Sequence, residues 1–396
     1  MSRLSYRFGS PFPSSPNASP PWKDRSMLHE PIAHTSLLSG LSEAISRHGA
    51  ARDRDGGFPV ESFDELFARG LVGHPPLRAS QAGELLHLLS AVGRGDLSTG
   101  RIYEGHVNTL FLIDRFATLE QRDAAFRQAA DGAVFGVWNT DHHANPLVLE
   151  DGVLKGSKSF ASGVDGLTAA IVTVNSEAGR QMLLVPVSGL DVDRSWWRPT
   201  GMRASGSHII STDELQVTDG MILGAPDDYI AEPFFSGGAI RFVAVHTGGI
   251  HAVFDCAVEH LTRTKRADNP YQSQRIARMG IALQTAYDWL ARGAEAWAHA
   301  LENPESDSAG RSLLATTRAA RGAVERAALD VLELAECAVG AAGFNAPHSL
   351  ERLDRDLRTY LRQPNPDGAM AALGEAIAGG HWHPSFPSIS RERGRS

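Results

Sequence analysis

Residues 141–163 read DHHANPLVLEDGVLKGSKSFASG, and the period of this stretch decides the fold. Leu147-Val148-Leu149 and Gly152-Val153-Leu154 are short apolar runs separated by Glu150-Asp151, with Gly152 supplying turn chemistry. That is a β-hairpin with an Asp-Gly signal. Its second arm runs on through Lys158-Ser159-Phe160-Ala161-Ser162 and stops at Gly163. Almost every other long stretch has a helical period, so the hairpin marks a separate β layer. In a helical protein such a layer is a good place for a flat cofactor.

Working outward, Val134 to Trp138, Leu167 to Val174, Gln181 to Val187, Trp196 to Pro199 and Ile209 to Ser211 extend the β text to about Leu223. That length suits a small barrel or sandwich. Upstream, Leu37, Leu38, Leu41 and Ile45 form a helical stripe. Ser62 is placed as the cap of a short helix, Ser80 opens another that includes Leu85 to Leu89, and Arg101 to Phe116 is a third. Thr118 with Gln121 forms a capping box for a fourth. Downstream, Ile276, Met279, Leu283, Tyr287 and Leu290 share one helix face, and Val324, Ala328, Val331, Ala335 and Ala338 share another. Asn303-Pro304 separates them, and the small residues of the second stripe suit close helix packing.

Composition narrows the function. A formal charge of −8 over 396 residues, with Lys and Arg scattered, leaves no basic face for phosphate backbones. Cys256 and Cys337 have no partner at metal-ligand spacing, which argues against a metal centre or a disulfide framework and for a reducing, cytoplasmic setting. No apolar run reaches membrane-spanning length, so no membrane partner is expected. The Pro/Ser-rich text up to residue 30 reads as a disordered tail. The expected layout is a tail (1–30), an N-terminal helical domain (31–130), a middle β domain (131–235), a C-terminal helical bundle (236–380) and a tail (381–396).

In this order the motifs resemble the acyl-CoA dehydrogenase superfamily of flavoproteins over about residues 35–375. Gly136-Val137-Trp138-Asn139-Thr140-Asp141 resembles the strand end beside the flavin, and Phe160-Ala161-Ser162 the segment at the flavin face. Gly201-Met202-Arg203-Ala204-Ser205 is similar to the family's Met-Gly-x-Arg-x-Ser loop, and Glu351 to Asp356 to its Arg-Asp signature. Gly340 to Phe344 resembles the glycine-rich turn between the last bundle helices. Arg263 with Gln274 resembles the pair that reaches the adenosine-diphosphate part of FAD across a subunit interface. The resemblance implies an α+β multidomain fold: a helical domain, a β-barrel or sandwich domain and a four-helix bundle. It also implies bound FAD and a homodimer or homotetramer. The residue types fit: a flavin needs an apolar surface, which Trp138 and Phe160 can supply, and polar contacts at its edge, which Thr140 and Ser162 can supply. Arg263 can supply fixed charge to the pyrophosphate.

The chain departs from the family where the catalytic base belongs. Family dehydrogenases remove a proton with a glutamate about nine residues after the arginine of Arg-Asp; counting from Arg355 lands on Pro364. The other family position, beside Arg241, holds Ile240. Asp367, three residues late in what reads as a Pro-Asp-Gly turn, is the remaining candidate base. Because monooxygenases of this fold use a late histidine near the flavin, His381 or His383 is the candidate for that role. His142-His143 does not form a metal pair. The family implies a dehydrogenase acting on an acyl-CoA or similar thioester, with an electron acceptor that the sequence does not identify. Loss of the base favours the alternative, a flavin monooxygenase acting on a small or amino-sugar-like substrate.

Overall fold

The structure, a computed structural model, describes residues 38–212, 214–362 and 365–385. The expected N-terminal tail, Pro364 and residues 386–396 lie outside the described residues.

Helices α1 (Leu41–Asp55), α2 (Val60–Ala68), α3 (Ala82–Gly95), α4 (Leu97–Phe116) and α5 (Leu119–Ala130) come first. Three of their starts differ from the sequence reading. Ser62 lies inside α2 and is buried, and Pro59 precedes the first turn. A single 3-10 turn over Ala79–Gln81 separates Ser80 from α3. Helix α4 begins four residues before Arg101, because the Asp96 carboxylate accepts from Thr99 N at 2.8 Å and caps it. The Thr118/Gln121 capping box is present as expected.

The hairpin is also present. Strands β2 (Val148–Glu150) and β3 (Val153–Lys155) pair antiparallel, Leu149 opposite Leu154. Asp151 and Gly152 both have positive φ, 48° and 77°, as a primed turn requires. The second arm then does something its sequence did not announce: it changes sheet at Gly156. There φ is 105°, and a Cβ would stand 2.4 Å from the Pro146 carbonyl oxygen. Beyond this corner β4 (Ser157–Ala161) joins a second sheet.

The larger sheet contains β1 (Phe135–Trp138), β5 (Ala169–Ser176), β6 (Gly179–Pro186), β9 (Leu215–Gln216) and β10 (Ile222–Leu223) besides the hairpin. Its order is β10-β6-β5-β2-β3-β9, and β1 pairs parallel to β5. The smaller sheet runs β4-β8-β7, with β7 at Asp191–Asp193 and β8 at His208–Ser211. Trp196 to Pro199, read as strand, is a loop. The Asp193 carboxylate accepts from Ser195 N at 2.8 Å and folds the chain into a side-chain-closed turn, which Arg198 Nε closes onto the Ser195 carbonyl.

Helices α6 (Phe234–Gly237), α7 (Ile240–Arg263), α8 (Pro270–Glu302), α9 (Asp307–Val339), α10 (Ser349–Tyr360) and α11 (Pro366–Ala378) complete the described chain. Helices α7, α8 and α9 pack on one another, and α3 packs on α7. The α3–α7 approach is close because Gly248 faces α3: a Cβ there would lie 2.1 Å from the Ser90 carbonyl oxygen. All five small or branched residues of the Val324–Ala338 stripe are buried. One apolar cluster runs from Leu41 and Leu89 through Leu154 and Ile210 to Val331 and Leu357, so the helices and the β layer share a core. No helix among the described residues is long and apolar enough to cross a membrane.

Candidate active site

Where β1 ends, the chain turns through Asn139-Thr140-Asp141 over a buried polar cluster. Lys158 is fully buried; its Nζ donates to Asp141 Oδ1 at 2.5 Å and to the Asn139 carbonyl at 3.2 Å. Thr173 Oγ1 donates to Asn139 Oδ1, and Arg180 Nη2 donates to the Asn139 carbonyl at 2.9 Å. Burial pushes the Lys158 ammonium down from its usual range while the Asp141 carboxylate opposes the shift. These bonds pin residues 139–141 and leave Thr140 on the wall of a cavity of about 690 Å³.

The opposite arm delivers two more wall residues. Between Lys158 and Ala161 strand β4 advances three residues while β8 advances two, from Ile210 to His208. That extra residue is a β-bulge, and bulges re-aim side chains next to sites. Phe160 sits in it with a positive φ of 56°, which is uncommon for an aromatic residue. Its ring lines the cavity and meets Trp196 edge-on at 5.0 Å. Ser162 also lines the cavity. Its hydroxyl contacts Ser207 Oγ at 2.8 Å, Ser207 Oγ contacts Ser205 Oγ at 2.9 Å, and Ser205 Oγ donates to the Met202 carbonyl at 2.8 Å.

Helix α4 supplies the third wall through Arg101, Glu104, Asn108 and Phe111, all on one face. Glu104 is buried and ion-paired with Arg101 at 2.8 Å, and Asn108 Nδ2 donates to its other oxygen. From α7, Arg241 Nε donates to Asn108 Oδ1. The Arg241 guanidinium packs against two adjoining rings, 5.0 Å from Phe111 and 4.7 Å from Trp297. Burial pulls its pKa down to about 10, and Glu104 and Tyr229 oppose that shift. Burial also pushes the Tyr229 phenol up to about 12. Arg318, Arg321 and Arg362 complete a wall with five arginines against two carboxylates, Glu104 and Asp228. Asp228 is occupied as well, accepting from Ala225 N at 2.7 Å.

The structure thus brings together Thr140, Phe160 and Ser162 and places the other candidates elsewhere. Trp138 is buried behind the wall, where its Nε1 donates to the Ser162 carbonyl at 3.2 Å. It holds the β4 exit in place and does not line the cavity. Arg263, at the end of α7, is exposed and pairs with Glu259; Gln274 on α8 is exposed too, and neither lines the cavity of this chain.

Asp367 is not on the wall, and the reason is geometric. What reads as a Pro-Asp-Gly turn is the first turn of α11, capped by Asn365, whose Oδ1 accepts from Gly368 N. Residues 365, 368, 369 and 372 form the i, i+3, i+4, i+7 stripe that faces the cavity, which puts Asp367 on the outer, exposed face. His381 is exposed beyond α11, its N–H bonded to the Ala376 carbonyl, and does not reach the wall. Ile240 is fully buried against Gly293.

Sequence reading overlooked Arg101, Glu104 and Asn108, and noted Arg241 only as the neighbour of a family base position. The signal was available on α4: three polar residues at i, i+3 and i+7 share one face of the helix and mark it as turned toward something other than the core.

The other resembling motifs are structural here. Met202 N donates to Asp356 Oδ1 at 2.6 Å, and Arg352 Nη1 reaches both Asp356 Oδ2 and Asp96 Oδ1, at 3.3 and 2.9 Å. Arg355 binds Glu351, Asp53 and the Thr200 carbonyl. The Gly201–Ser205 loop is thereby clamped to α10, and Ser205, through Ser207, positions Ser162.

No family model matches the chain. Dibenzothiophene monooxygenase of Rhodococcus erythropolis is 24% identical, over 91% of this chain and 96% of that protein. A Bacillus subtilis protein, YdbM, assigned by name to the acyl-CoA dehydrogenases, is 24% identical over 84% of this chain and 93% of its own length. The crystal structure of TdsC from Paenibacillus sp. A11-2 with FMN and indole has a TM-score of 0.77 at 18% identity, covering 90% of this chain and 98% of that one. The matches run nearly end to end, so the chain shares the fold of these proteins and resembles the acyl-CoA dehydrogenase superfamily.

Proposed function

We propose that the protein is a flavin-dependent monooxygenase rather than an acyl-CoA dehydrogenase. The observation that carries this reading is the carboxylate inventory of the cavity. Glu104 is neutralised by Arg101 and bonded by Asn108, Asp228 caps a turn, and Asp367 faces outward. Among the described residues, Glu104 and Asp228 are the carboxylates of the wall, Asp228 is engaged through one oxygen only, and neither stands at a position where the family carries its base. The monooxygenase name of the Rhodococcus relative agrees with this reading.

The walls fit a flavin. Phe160 offers a ring face, Thr140 and Ser162 offer hydroxyls, the arginines offer charge to a phosphate, and the volume lies within the ordinary range for ligand sites. A bound reduced flavin would supply the two electrons with which one atom of dioxygen enters the substrate and the other leaves as water. The chain's part would be to offer Phe160 and the α4 residues as walls for the ring, Thr140 and Ser162 as polar contacts, and Phe234, Phe242 and Tyr360 as the aromatic side chains that exclude water. The neighbour TdsC holds FMN, whereas the Arg263/Gln274 resemblance implies FAD. We favour FMN, because in one chain neither residue lines the cavity. FAD would require a second copy to complete the site, and at least a dimer is the expected assembly in that case.

Anaerobic spectroscopy tests the reading. Flavin-loaded protein should keep its colour when octanoyl-CoA is added without oxygen. With reduced FMN, labelled dioxygen and an oxygenated substrate, one labelled atom should appear in the product. Bleaching by the thioester would establish the dehydrogenase instead, and failure to bind either flavin would remove both readings. Replacing Arg263 by Ala should weaken FAD and leave FMN unaffected; equal loss of both would place Arg263 in the monomer's own site.

A further inference from the structure

Arg241 carries more positive charge than its surroundings use. It is 6% exposed, and among the described residues its one hydrogen-bond acceptor is Asn108 Oδ1, reached from Nε. Its Nη1 is buried and has no acceptor. A buried donor without a partner is unfavourable and rare, and where it persists in a cavity wall it marks a place for a ligand group. The nearest carboxylate, Glu104, is already held by Arg101 and Asn108. The buried group of Arg101, Glu104 and Arg241 therefore keeps a net positive charge.

The shape of the vacant donor edge identifies the ligand. Phe111 and Trp297, their ring centres 5.4 Å apart, pack together against the guanidinium. Its Nε is taken. What is left is the in-plane Nη edge, the fork that pairs with a planar group bearing two oxygens. The surroundings are aromatic: Phe111, Phe234, Phe242, Tyr229 and Tyr360 line the same cavity.

We infer that Arg241 anchors the substrate's own anionic group, a carboxylate or its two-oxygen sulfur analogue, on an aromatic or similarly flat molecule. The inference deepens the monooxygenase reading by naming the class of molecule it acts on, and it rests on that reading only for the word substrate. The anion docks at the Arg241 and Asn108 end, the apolar body lies along the phenyl rings, and the remaining arginines draw anions toward the site.

Calorimetric titration of flavin-free protein tests it, with benzoate as probe, benzamide as its neutral counterpart and inorganic phosphate as competitor. Benzoate should bind at least tenfold tighter than benzamide. Arg241→Met should abolish the preference, and Arg241→Lys, which keeps charge but not the fork, should fall between. Equal binding of the two probes by the wild type overturns the inference whether or not the variants fold, as does a preference that survives in Arg241→Met. Displacement of benzoate by millimolar phosphate, lost in Arg241→Met, would assign the residue to a phosphate and overturn it too. Because no flavin is present, an Arg241-dependent preference together with failed oxygenation would refute the monooxygenase reading alone.

Discussion

Two buried ionic clusters meet α4, one at its N-cap Asp96 and one along its cavity face, and they are built to opposite ends. Around α10, Arg352 lies between Asp96 and Asp356, Arg355 binds Asp53, Glu351 and a carbonyl, and Met202 N donates to Asp356. Every arginine there has carboxylates on both sides. In the cavity, Arg241 has one amide oxygen and a donor with no acceptor. The first cluster is architecture, since satisfied buried charges fix the relation of four chain segments: α1, the start of α4, the Thr200–Met202 loop and α10. The second is incomplete by itself, and a buried polar group left incomplete is where a ligand belongs. Two of the resembling motifs, Gly201–Ser205 and Glu351–Asp356, belong to the first cluster, whereas Thr140, Phe160 and Ser162 from two others line the cavity.

The comparison can be broken most sharply at Arg352. Replacing it with Ala leaves Asp96 and Asp356 buried without their cation. It should cost about 3–5 kcal/mol in urea unfolding; a change under about 1 kcal/mol would show that the clamp is not structural. Next comes His106, on the core side of α4, fully satisfied by the Val72 carbonyl and Phe135 N. Burial holds it neutral and lowers its pKa to about 4, from an unfolded value near 6.5. Its contribution is complete above about pH 6.5 and is lost as pH falls through 4, on the order of 3 kcal/mol. His106→Gln should flatten melting temperature against pH in that window, and an unchanged profile would refute the assignment.

A smaller effect is expected at the wall. Phe160→Ala should weaken flavin binding by about tenfold, the worth of one aromatic contact, in fluorescence titration. Smallest is the effect of Arg241→Met on folding: because the residue's donors are poorly matched in the free protein, stability should change by less than about 1 kcal/mol. A loss as large as that of Arg352→Ala would erase the distinction between the clusters.

How much of this was legible follows from the range of the interactions. The hairpin was, because its turn and strand alternation are local, and so were the stripes of α8 and α9. The corner at Gly156 was not: a lone glycine in strand text does not say which backbone it approaches. Asp367 was misjudged because Pro-Asp-Gly reads equally as a turn and as the first turn of a helix, and only the Asn365 cap decides between them. The Arg241–Asn108 contact joins residues 133 apart on different helices, and no periodicity in either helix encodes it.

The serine chain fixes a direction as well as a position. Each hydroxyl has one hydrogen to give. Ser205 gives its own to the Met202 carbonyl, so Ser207 gives to Ser205, and Ser162 gives to Ser207 at 2.8 Å, with the Phe160 carbonyl at 3.5 Å as its weaker alternative. The Ser162 hydrogen therefore points into the protein and its lone pairs face the cavity. Although it is a hydroxyl, Ser162 acts toward any occupant as a pure acceptor, and the molecule that fits there has to bring an N–H or O–H of its own.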